Sequence, residues 1–242
     1  MVVPKGSRIQ EFQAVHPGRN DPLGSMDVLL RERTSLTERR SIDISQTVCA
    51  DLSTWPGDTR FTSGPTWTDV AGCPVNVPRY TASTHAGTHA DAPLHYDPYG
   101  AAIDAVPLEP DPGPVRLRDL RGCGRVTTPD LVAPALSGPL RLLFRTGERF
   151  PHHARTEGFV TLAPETITLL AARGVLPIGI DFSSIDPRQA RTLFARDAAR
   201  VAGLRILERL VLDEAEPGDD ALIALPIRLD AAPVRAMLLG LS

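Results

Sequence analysis

The sequence predicts a single-domain protein of the α/β class. Stretches with the alternating or continuous apolar residues of strands lie on both sides of a stretch with helix start and stop signals. With 242 residues, 42% of them hydrophobic, the chain can bury one full core. Its 23 prolines predict long, fixed loops around the sheet, which suits a site assembled from several segments.

The expected elements follow in chain order. Residues 41–48 alternate between apolar and polar side chains and predict the first strand, and residues 139–145 predict an apolar one. Pro164 and Gly174 stand at the two ends of a helix predicted over 165–173. The remaining elements are a buried strand at 175–181, a helix that begins at Asp186 and Pro187, and closing strands at 205–212 and 221–227.

Residues 1–40 differ from the rest of the chain. They lack strand alternation, contain several glycines and prolines, and include a second methionine at Met26. We expect them to form a flexible leader or expression remnant plus a linker, with residues 1–25 as the leader or remnant. The folded domain is then expected to cover residues 41–242.

Composition narrows the class of protein. A net charge of −3 gives no electrostatic reason to bind nucleic acid or an anionic membrane. The three cysteines, Cys49, Cys73 and Cys123, are odd in number and lack CxxC spacing, which favours free thiols in a reducing cytoplasm. No apolar run is long enough for a membrane span, and no glycine-rich motif for nucleotide phosphates occurs. We therefore expect a cytoplasmic protein that acts on a small molecule.

The most informative segment is His85–His95, with the sequence HAGTHADAPLH. It contains three of the six histidines in the chain and one carboxylate. Imidazole nitrogens and a carboxylate oxygen bind divalent metals at about 2.0–2.2 Å, and a catalytic zinc typically keeps three protein ligands. His85, His89 and Asp91 supply such a set and are the predicted metal ligands.

This set of ligands constrains the backbone. In a strand, His85 and His89 would stand roughly 13 Å apart, too far to share an ion. Gly87 and Pro93 argue against a continuous helix. We therefore predict a tight turn at Gly87–Thr88 that brings the two imidazoles together, followed by an extended step that carries Asp91 alongside them. His95 lies beyond Pro93 and is predicted not to be a ligand.

The pattern H-x-G-T-H-x-D-x-P-x-H resembles the motif of the cyclase family of metal-dependent hydrolases, which includes bacterial kynurenine formamidases. The resemblance covers about residues 40–240 and implies a swivelling β/β/α cyclase-like fold and a homo-oligomer, either a dimer or a tetramer. Further segments similar to the family are Trp55–Asp58, His95–Asp97, Gly100–Ile103, Gly179–Asp181, Asp186–Pro187 and Ile206–Glu208.

The resemblance also implies an activity. It is the hydrolysis of N-formyl-L-kynurenine to L-kynurenine and formate, by a water molecule that a bound Zn²⁺ or Mn²⁺ activates. His95 is predicted to be the general acid and base, a role that the ordinary histidine pKa of about 6.5 suits. Trp55 is predicted to flank the aromatic substrate, the alternative being an ordinary core or loop tryptophan.

Glu208 is the fourth predicted metal ligand. In a strand, Ile206, Glu208, Leu210 and Leu212 share one face, and a carboxylate on an apolar face requires a partner. That partner is either a metal, which the resemblance favours, or an arginine.

One position departs from the formamidase pattern. There, a histidine twelve residues before the glutamate helps to hold a second metal, and here that position is Arg196. Arginine stays protonated and cannot bind a metal. We therefore expect one ion per protomer rather than two, with Arg196 offsetting the carboxylates, unless the protein has lost the family's chemistry. Asp197 and the pair His152–His153 are the other candidates for completing a second site.

Two other functions remain open. The same metal site would suit another cyclic amide or a biosynthetic intermediate, by hydrolysis, cyclisation or dehydration. A non-catalytic family member that has lost the second metal is the last alternative, although the presence of all four residues His85, His89, Asp91 and His95 argues against it.

Overall fold

The structure is a computed structural model. It describes residues 40–68, 72, 75–124, 126–147, 160–187, 189–229 and 232–240. The predicted leader, Cys73 and the candidate pair His152–His153 lie outside the described residues, and the domain boundary at residue 41 stays a prediction. Within the described residues, no helix has the length and apolar character needed to cross a membrane.

Strands outnumber helices in the described residues. The helices are α1 (Pro129–Val132), α2 (Pro164–Ala172) and α3 (Phe194–Ala202), with short 3₁₀ turns at Pro93–His95, Ile103–Ala105 and Ala133–Ser137. The strands are β1 (Ser41–Asp43), β2 (Thr62–Trp67), β3 (Val77–Thr81), β4 (His89–Asp91), β5 (Gly113–Asp119), β6 (Val126–Thr127), β7 (Leu142–Arg145), β8 (Thr161–Leu162), β9 (Pro177–Ile180), β10 (Arg205–Glu208), β11 (Gly218–Pro226) and β12 (Ala232–Gly240).

Seven strands form a closed sheet. Their order is β12-β11-β5-β7-β9-β10-β4, and β4 pairs back onto the start of β12, while β1 pairs with a later part of β12. The neighbours β5, β7, β9 and β10 run parallel, and the other pairs in this sheet are antiparallel. This barrel-like sheet with few helices confirms the predicted α/β class.

The two faces of the sheet bury two separate apolar clusters. Leu143 and Leu207 belong to one cluster with residues from β5, β11 and β12. Phe144 and Ile206 belong to the other, together with residues of α2 and α3. Because neighbouring residues of a strand point to opposite faces, β7 and β10 each contribute to both clusters.

Most predicted elements are present, but several have different bounds. The helix predicted at 165–173 is confirmed as α2, and Gly174 after it has a φ of 75°. The strand predicted at 41–48 is shorter, since β1 ends at Asp43. The helix predicted to begin at Asp186 is wrong, because α3 begins only at Phe194. The carboxylate of Asp186 instead accepts hydrogen bonds from backbone amides in the first turn of α3.

The prediction that Leu210 and Leu212 share the face of Ile206 is also wrong. Arg209 has a φ of 60°, which ends β10 and breaks the alternation of side chains. Leu210 and Leu212 therefore lie in the same cluster as Leu207, on the other side of the sheet from Ile206.

Candidate active site

The predicted turn brings the first two histidines together. Gly87 has a φ of 71°, and a Cβ atom there would lie 3.0 Å from Cγ2 of Val48, so both the conformation and the space favour glycine. The ring centres of His85 and His89 are 4.6 Å apart as a result. The bend thus brings together two imidazoles that a strand through this segment would hold apart.

Strand β4 places the next residues of the motif. His89 and Asp91 share one face of β4, while Ala90 between them packs in the cluster with Leu207. In the antiparallel register with β10, Glu208 lies opposite His89. The pairing of two strands therefore adds Glu208 to the site.

The donor atoms of His85, His89 and Asp91 converge. One candidate ligand atom from each lies within 4.8 Å of the others. Oδ1 of Asp91 is 3.4 Å from Nδ1 of His85 and 3.4 Å from Nε2 of His89. Among the described residues, this buried oxygen accepts no hydrogen bond.

The tautomer of His89 supports a metal at this point. Its Nδ1 is 2.9 Å from the carbonyl oxygen of Gly87, which can only accept a hydrogen bond, so Nδ1 carries the proton. In the neutral imidazole Nε2 then presents a lone pair to the Asp91 oxygen, and a cation between these two acceptors would remove their repulsion. Metal-binding histidines typically donate a hydrogen bond from their other ring nitrogen to a carbonyl oxygen or another acceptor. The residues present therefore fit a divalent ion.

Arg196 lies on the other side of the two carboxylates. Its Nε donates to Oδ2 of Asp91 at 3.2 Å, and its Nη2 donates to Oε1 of Glu208 at 2.6 Å. The guanidinium thus binds one oxygen of each carboxylate. The second oxygen of each, Oδ1 of Asp91 and Oε2 of Glu208, lies 3.4 Å and 3.6 Å from Nε2 of His89.

This geometry bears on the predicted role of Glu208. One of its oxygens has the arginine partner that the sequence left as an alternative, and the other faces His89. Glu208 does not belong to the group of described residues whose ligand atoms converge. Its role as a metal ligand stays a prediction.

The two carboxylates have opposite pKa shifts. Burial raises the pKa of Glu208 to about 7, although the charge of Arg196 opposes this. Burial also acts to raise the pKa of Asp91, but the imidazoles of His85 and His89 and the charge of Arg196 outweigh it, and the pKa lies well below its ordinary value. Asp91 is therefore the carboxylate that stays ionised.

Two residues that support Arg196 were not predicted as part of the site. Oγ of Ser184 accepts a hydrogen bond from Nη1 of Arg196 at 2.6 Å. The carboxylate of Asp186 accepts from the backbone amides of Ala195 and Arg196 and lies 3.5 Å from Nη1. No local sequence signal identifies Ser184, whereas Asp186 was noted as the start of a helix and in a segment similar to the family, without a role in the site.

The site opens on a cavity of about 540 Å³, a volume suited to a small-molecule substrate. His95 and Trp55 both line it, with Trp55 at the start of a turn in which Asp58 N donates to Trp55 O. The His95 ring centre is 4.1 Å from that of His85. Burial lowers the pKa of His95 to about 4, below the ordinary value assumed from the sequence.

Asp197, the described candidate for a second metal site, does not reach this cluster. Asp197 is exposed on α3 and pairs with Arg200 at 2.8 Å. Among the residues described by the structure, the three-residue group around Asp91 is the one arrangement of histidine, cysteine and carboxylate side chains suited to a metal.

Comparisons with known proteins confirm the predicted cyclase-like fold. The chain shares 26% sequence identity with a solved structure named "potential metal-dependent hydrolase with cyclase activity", with a TM-score of 0.72 over 84% of this chain and 99% of that one. A predicted metal-dependent hydrolase from Bacillus stearothermophilus is also 26% identical, with a TM-score of 0.71 over 83% of this chain and 98% of that one. Isatin hydrolase A from Labrenzia aggregata, at 22% identity, has a TM-score of 0.74 over 90% of this chain and 100% of that one, which shows a shared fold.

The family match includes the metal-binding motif. The family model described as "Putative cyclase" matches residues 42–187, more than half of the chain and all of the segment from His85 to His95. The match ends before α3 and β10, which carry Arg196 and Glu208. By its sequence, and in agreement with its fold, the chain belongs to the Cyclase family.

Proposed function

We propose that this protein is a metal-dependent amide hydrolase whose substrate is an aryl formamide, most simply N-formyl-L-kynurenine. The observation that carries the proposal is the buried, unpartnered oxygen of Asp91, which faces the imidazoles of His85 and His89 beside a cavity of substrate size. The relatives named as metal-dependent hydrolases support the reaction type.

We propose one divalent ion per protomer, Zn²⁺ or Mn²⁺, held by His85, His89 and Asp91, with Glu208 as a further candidate ligand. Such an ion would polarise the amide carbonyl and make a water molecule nucleophilic near neutral pH. Arg196 occupies the side of the carboxylates that a second ion would need, and its positive charge would repel one.

His95 would move the proton. With a pKa of about 4, its imidazole is neutral at pH 7 and can accept a proton from the attacking water. The resulting imidazolium can return that proton to the departing nitrogen. His95 lies against His85 and lines the cavity, as this role requires.

The apolar part of the cavity suits an aromatic ring. Trp55, Pro187 and Leu193 line it together with the polar residues of the site. Trp55 is 38% exposed, so its ring is accessible to a substrate rather than part of the core. An aryl amide would pack against these residues with its amide towards Asp91 and His95.

Hydrolysis of a cyclic aryl amide is the second candidate. The flat bicyclic substrate named for isatin hydrolase A would suit the same apolar lining, and that protein shares the fold. Ring opening would use the same proton transfers by His95, without release of formate. The choice between the two candidates is therefore a choice of substrate rather than of mechanism.

One experiment tests the proposal and separates the candidates. The purified protein is reloaded with Zn²⁺ or Mn²⁺, its metal content is measured by elemental analysis, and N-formyl-L-kynurenine and isatin are supplied in parallel. We expect one ion per protomer and release of formate. The variant Asp91→Asn should lose both the ion and turnover, whereas Asp197→Asn on the exposed face of α3 should keep both.

Each other outcome is informative. Two ions per protomer would contradict the role given to Arg196. Isatin opening without formate release would select the cyclic amide, and a protein that binds no metal would contradict the proposal as a whole. A homo-oligomer, a dimer or a tetramer, stays a prediction that light scattering on the same sample tests.

A further inference from the structure

A tight turn holds an aromatic and an acidic side chain on one wall of the substrate cavity. The N–H of Asp58 donates to the carbonyl oxygen of Trp55 at 2.9 Å, and Gly57 has a φ of 87°. With Pro56 before Gly57, this is the pattern of a type II turn. The two end residues of a β-turn have their Cα atoms within about 7 Å of each other. Trp55 and Asp58 therefore stand close together, and both line the cavity.

The carboxylate of Asp58 has room for a further partner. Its Oδ1 accepts a hydrogen bond from the backbone N–H of Thr59 at 2.6 Å. In the described part of the chain this is the one hydrogen bond that the carboxylate makes, and no cationic side chain lies within ion-pair distance of it. An ionised carboxylate can accept about four hydrogen bonds. The contact with Thr59 thus orients Asp58 and leaves its Oδ2 for another donor.

The second carboxylate in the described cavity lining is already occupied. Oε1 of Glu208 accepts from Nη2 of Arg196 at 2.6 Å and from the backbone N–H of Ile185 at 3.2 Å. Its Oε2 faces Nε2 of His89 at 3.6 Å. A cationic group on a substrate would have to compete with Arg196 for this buried acid. Asp58 is exposed, so it is the described lining carboxylate that a substrate can reach.

We infer that Asp58 binds an ammonium group of the substrate, beside the aromatic ring that packs against Trp55. This inference rests on the proposed function and extends it, because it selects aryl amides that carry an ammonium over those that do not. An ammonium has three N–H donors and no acceptor, so a carboxylate oxygen is its matching partner. N-formyl-L-kynurenine carries an ammonium on a short chain attached to its ring, in keeping with the close spacing of the two side chains.

The exposure of Asp58 sets the expected size of the effect. A hydrogen bond to a charged group typically contributes about 10–100-fold in affinity, whereas an exposed ion pair contributes about fivefold or less. Asp58 is exposed but lies on the wall of a cavity, where a bound substrate displaces part of the screening water. Loss of its charge should therefore weaken binding of an ammonium-bearing substrate by about five- to tenfold.

The test compares two formamides that differ in the ammonium alone. The first is N-formyl-L-kynurenine, and the second is 4-(2-formamidophenyl)-4-oxobutanoate, which keeps the ring, the formamide and the carboxylate. In Asp58→Asn, whose side-chain oxygen can still accept from Thr59, KM for N-formyl-L-kynurenine should rise about five- to tenfold. Its kcat and both constants for the second compound should change less than about twofold.

Structural damage would give a different pattern. If Asp58 only supports the turn that holds Trp55, Asp58→Asn impairs both substrates equally, and this result would overturn the inference. Asp58→Glu keeps the charge and should recover part of the KM for N-formyl-L-kynurenine. Asp51→Asn is the matched control, because Asp51 is an exposed acid on the same segment outside the described lining, and both substrates should keep their constants.

Ionic strength separates the charge of Asp58 from its shape. A rise from about 0.1 M to about 1 M shortens the Debye length from about 10 Å to about 3 Å. In the wild type, the ratio of the two KM values should move towards one over this range, whereas in Asp58→Asn it should stay constant. A wild-type ratio that does not respond to salt would overturn the role of the carboxylate.

A binding measurement keeps the inference testable without turnover. Calorimetry on the metal-loaded protein compares L-kynurenine with 4-(2-aminophenyl)-4-oxobutanoate, which lacks the ammonium. The wild type should bind L-kynurenine about five- to tenfold more tightly, and Asp58→Asn should lose this preference. Equal binding of both compounds by the wild type, or binding of neither, would overturn the role of Asp58. Absence of hydrolysis with this preference intact would contradict the proposed function alone.

Discussion

Arg196 is the cation on which two buried carboxylates depend, and its removal gives the sharpest test of the site. Asp91 and Glu208 have side-chain exposures of 0% and 1%, and the Arg196 guanidinium contacts both. In the metal-free protein, Arg196→Met removes this charge but keeps a long, unbranched side chain. Loss of one partner of a buried ion pair typically costs about 3–5 kcal/mol. For a domain of this size, that loss corresponds to a melting temperature lower by roughly 6–20 °C.

The loss of stability in Arg196→Met should depend on pH. Burial raises the pKa of Glu208 to about 7 from an ordinary 4.5, and Arg196 is the largest influence that opposes the rise. Without Arg196 the pKa of folded Glu208 rises further. A carboxyl whose pKa is raised in the folded state holds its proton there and loses it on unfolding, so stability falls as pH rises from about 4.5 through the folded pKa. The deficit of the variant should therefore be larger at pH 8 than at pH 6.

The assay is urea denaturation of chelator-treated protein at both pH values, repeated with Zn²⁺ or Mn²⁺. Added metal should stabilise the variant more than the wild type, because it restores positive charge beside Asp91. Arg200→Met is the matched control, since Arg200 lies on the same helix but pairs at the surface with Asp197. Equal stability of Arg196→Met and wild type at pH 8 would refute the role of Arg196 as the cation that balances both carboxylates. A loss of stability of the same size at pH 6 and pH 8 would refute it too.

Three further predictions concern other parts of the molecule. Replacement of His95 by alanine should lower kcat by about 10²–10⁴-fold, as for a lost general acid and base, with metal content unchanged in elemental analysis. Hydrogen bonds from Arg121 hold the pKa of Asp119 well below its ordinary value. This carboxylate therefore stabilises the fold above about pH 4, and the stabilisation is lost as the pH falls further. In urea denaturation, the stability of Asp119→Asn should depend less on acid pH than that of the wild type. Thr88→Val leaves the buried backbone N–H of Gln46 without its acceptor and should lower the free energy of unfolding by about 1–3 kcal/mol. Thr88→Ser keeps a hydroxyl and should lower it less.

The parts of the fold that sequence predicts are those specified by neighbouring residues. Helix α2 has Pro164 in its first turn and Gly174 after its end, and both signals act within a few residues. The convergence of His85, His89 and Asp91 likewise depends on one bend and one short strand. Short-range geometry of this kind can be derived from spacing and conformational preference alone.

The pairing of strands that are distant in the chain was not predicted from the sequence. Strands β5 (Gly113–Asp119) and β12 (Ala232–Gly240) were not predicted, yet β12 pairs with β4 and closes the barrel. Glu208 was expected near the metal from a resemblance, whereas its position opposite His89 follows from the register of β10 and β4. Arg209 appeared to continue a strand, because nothing in its residue type indicates a positive φ.

Thr88 connects the short-range geometry of the metal-binding motif to the long-range pairing of the strands. It is not one of the candidate ligands, but its hydroxyl donates to the carbonyl of Arg209 and accepts from the backbone amide of Gln46. Its own carbonyl accepts from the amide of Val234 in β12. One small side chain therefore fixes the ligand loop to the segments that follow β1 and β10, and its backbone fixes the same loop to β12. The ligand atoms and the backbone of Arg209, which lines the cavity, consequently depend on the same contacts, so a change that disturbs this segment should affect the metal site and the cavity wall together.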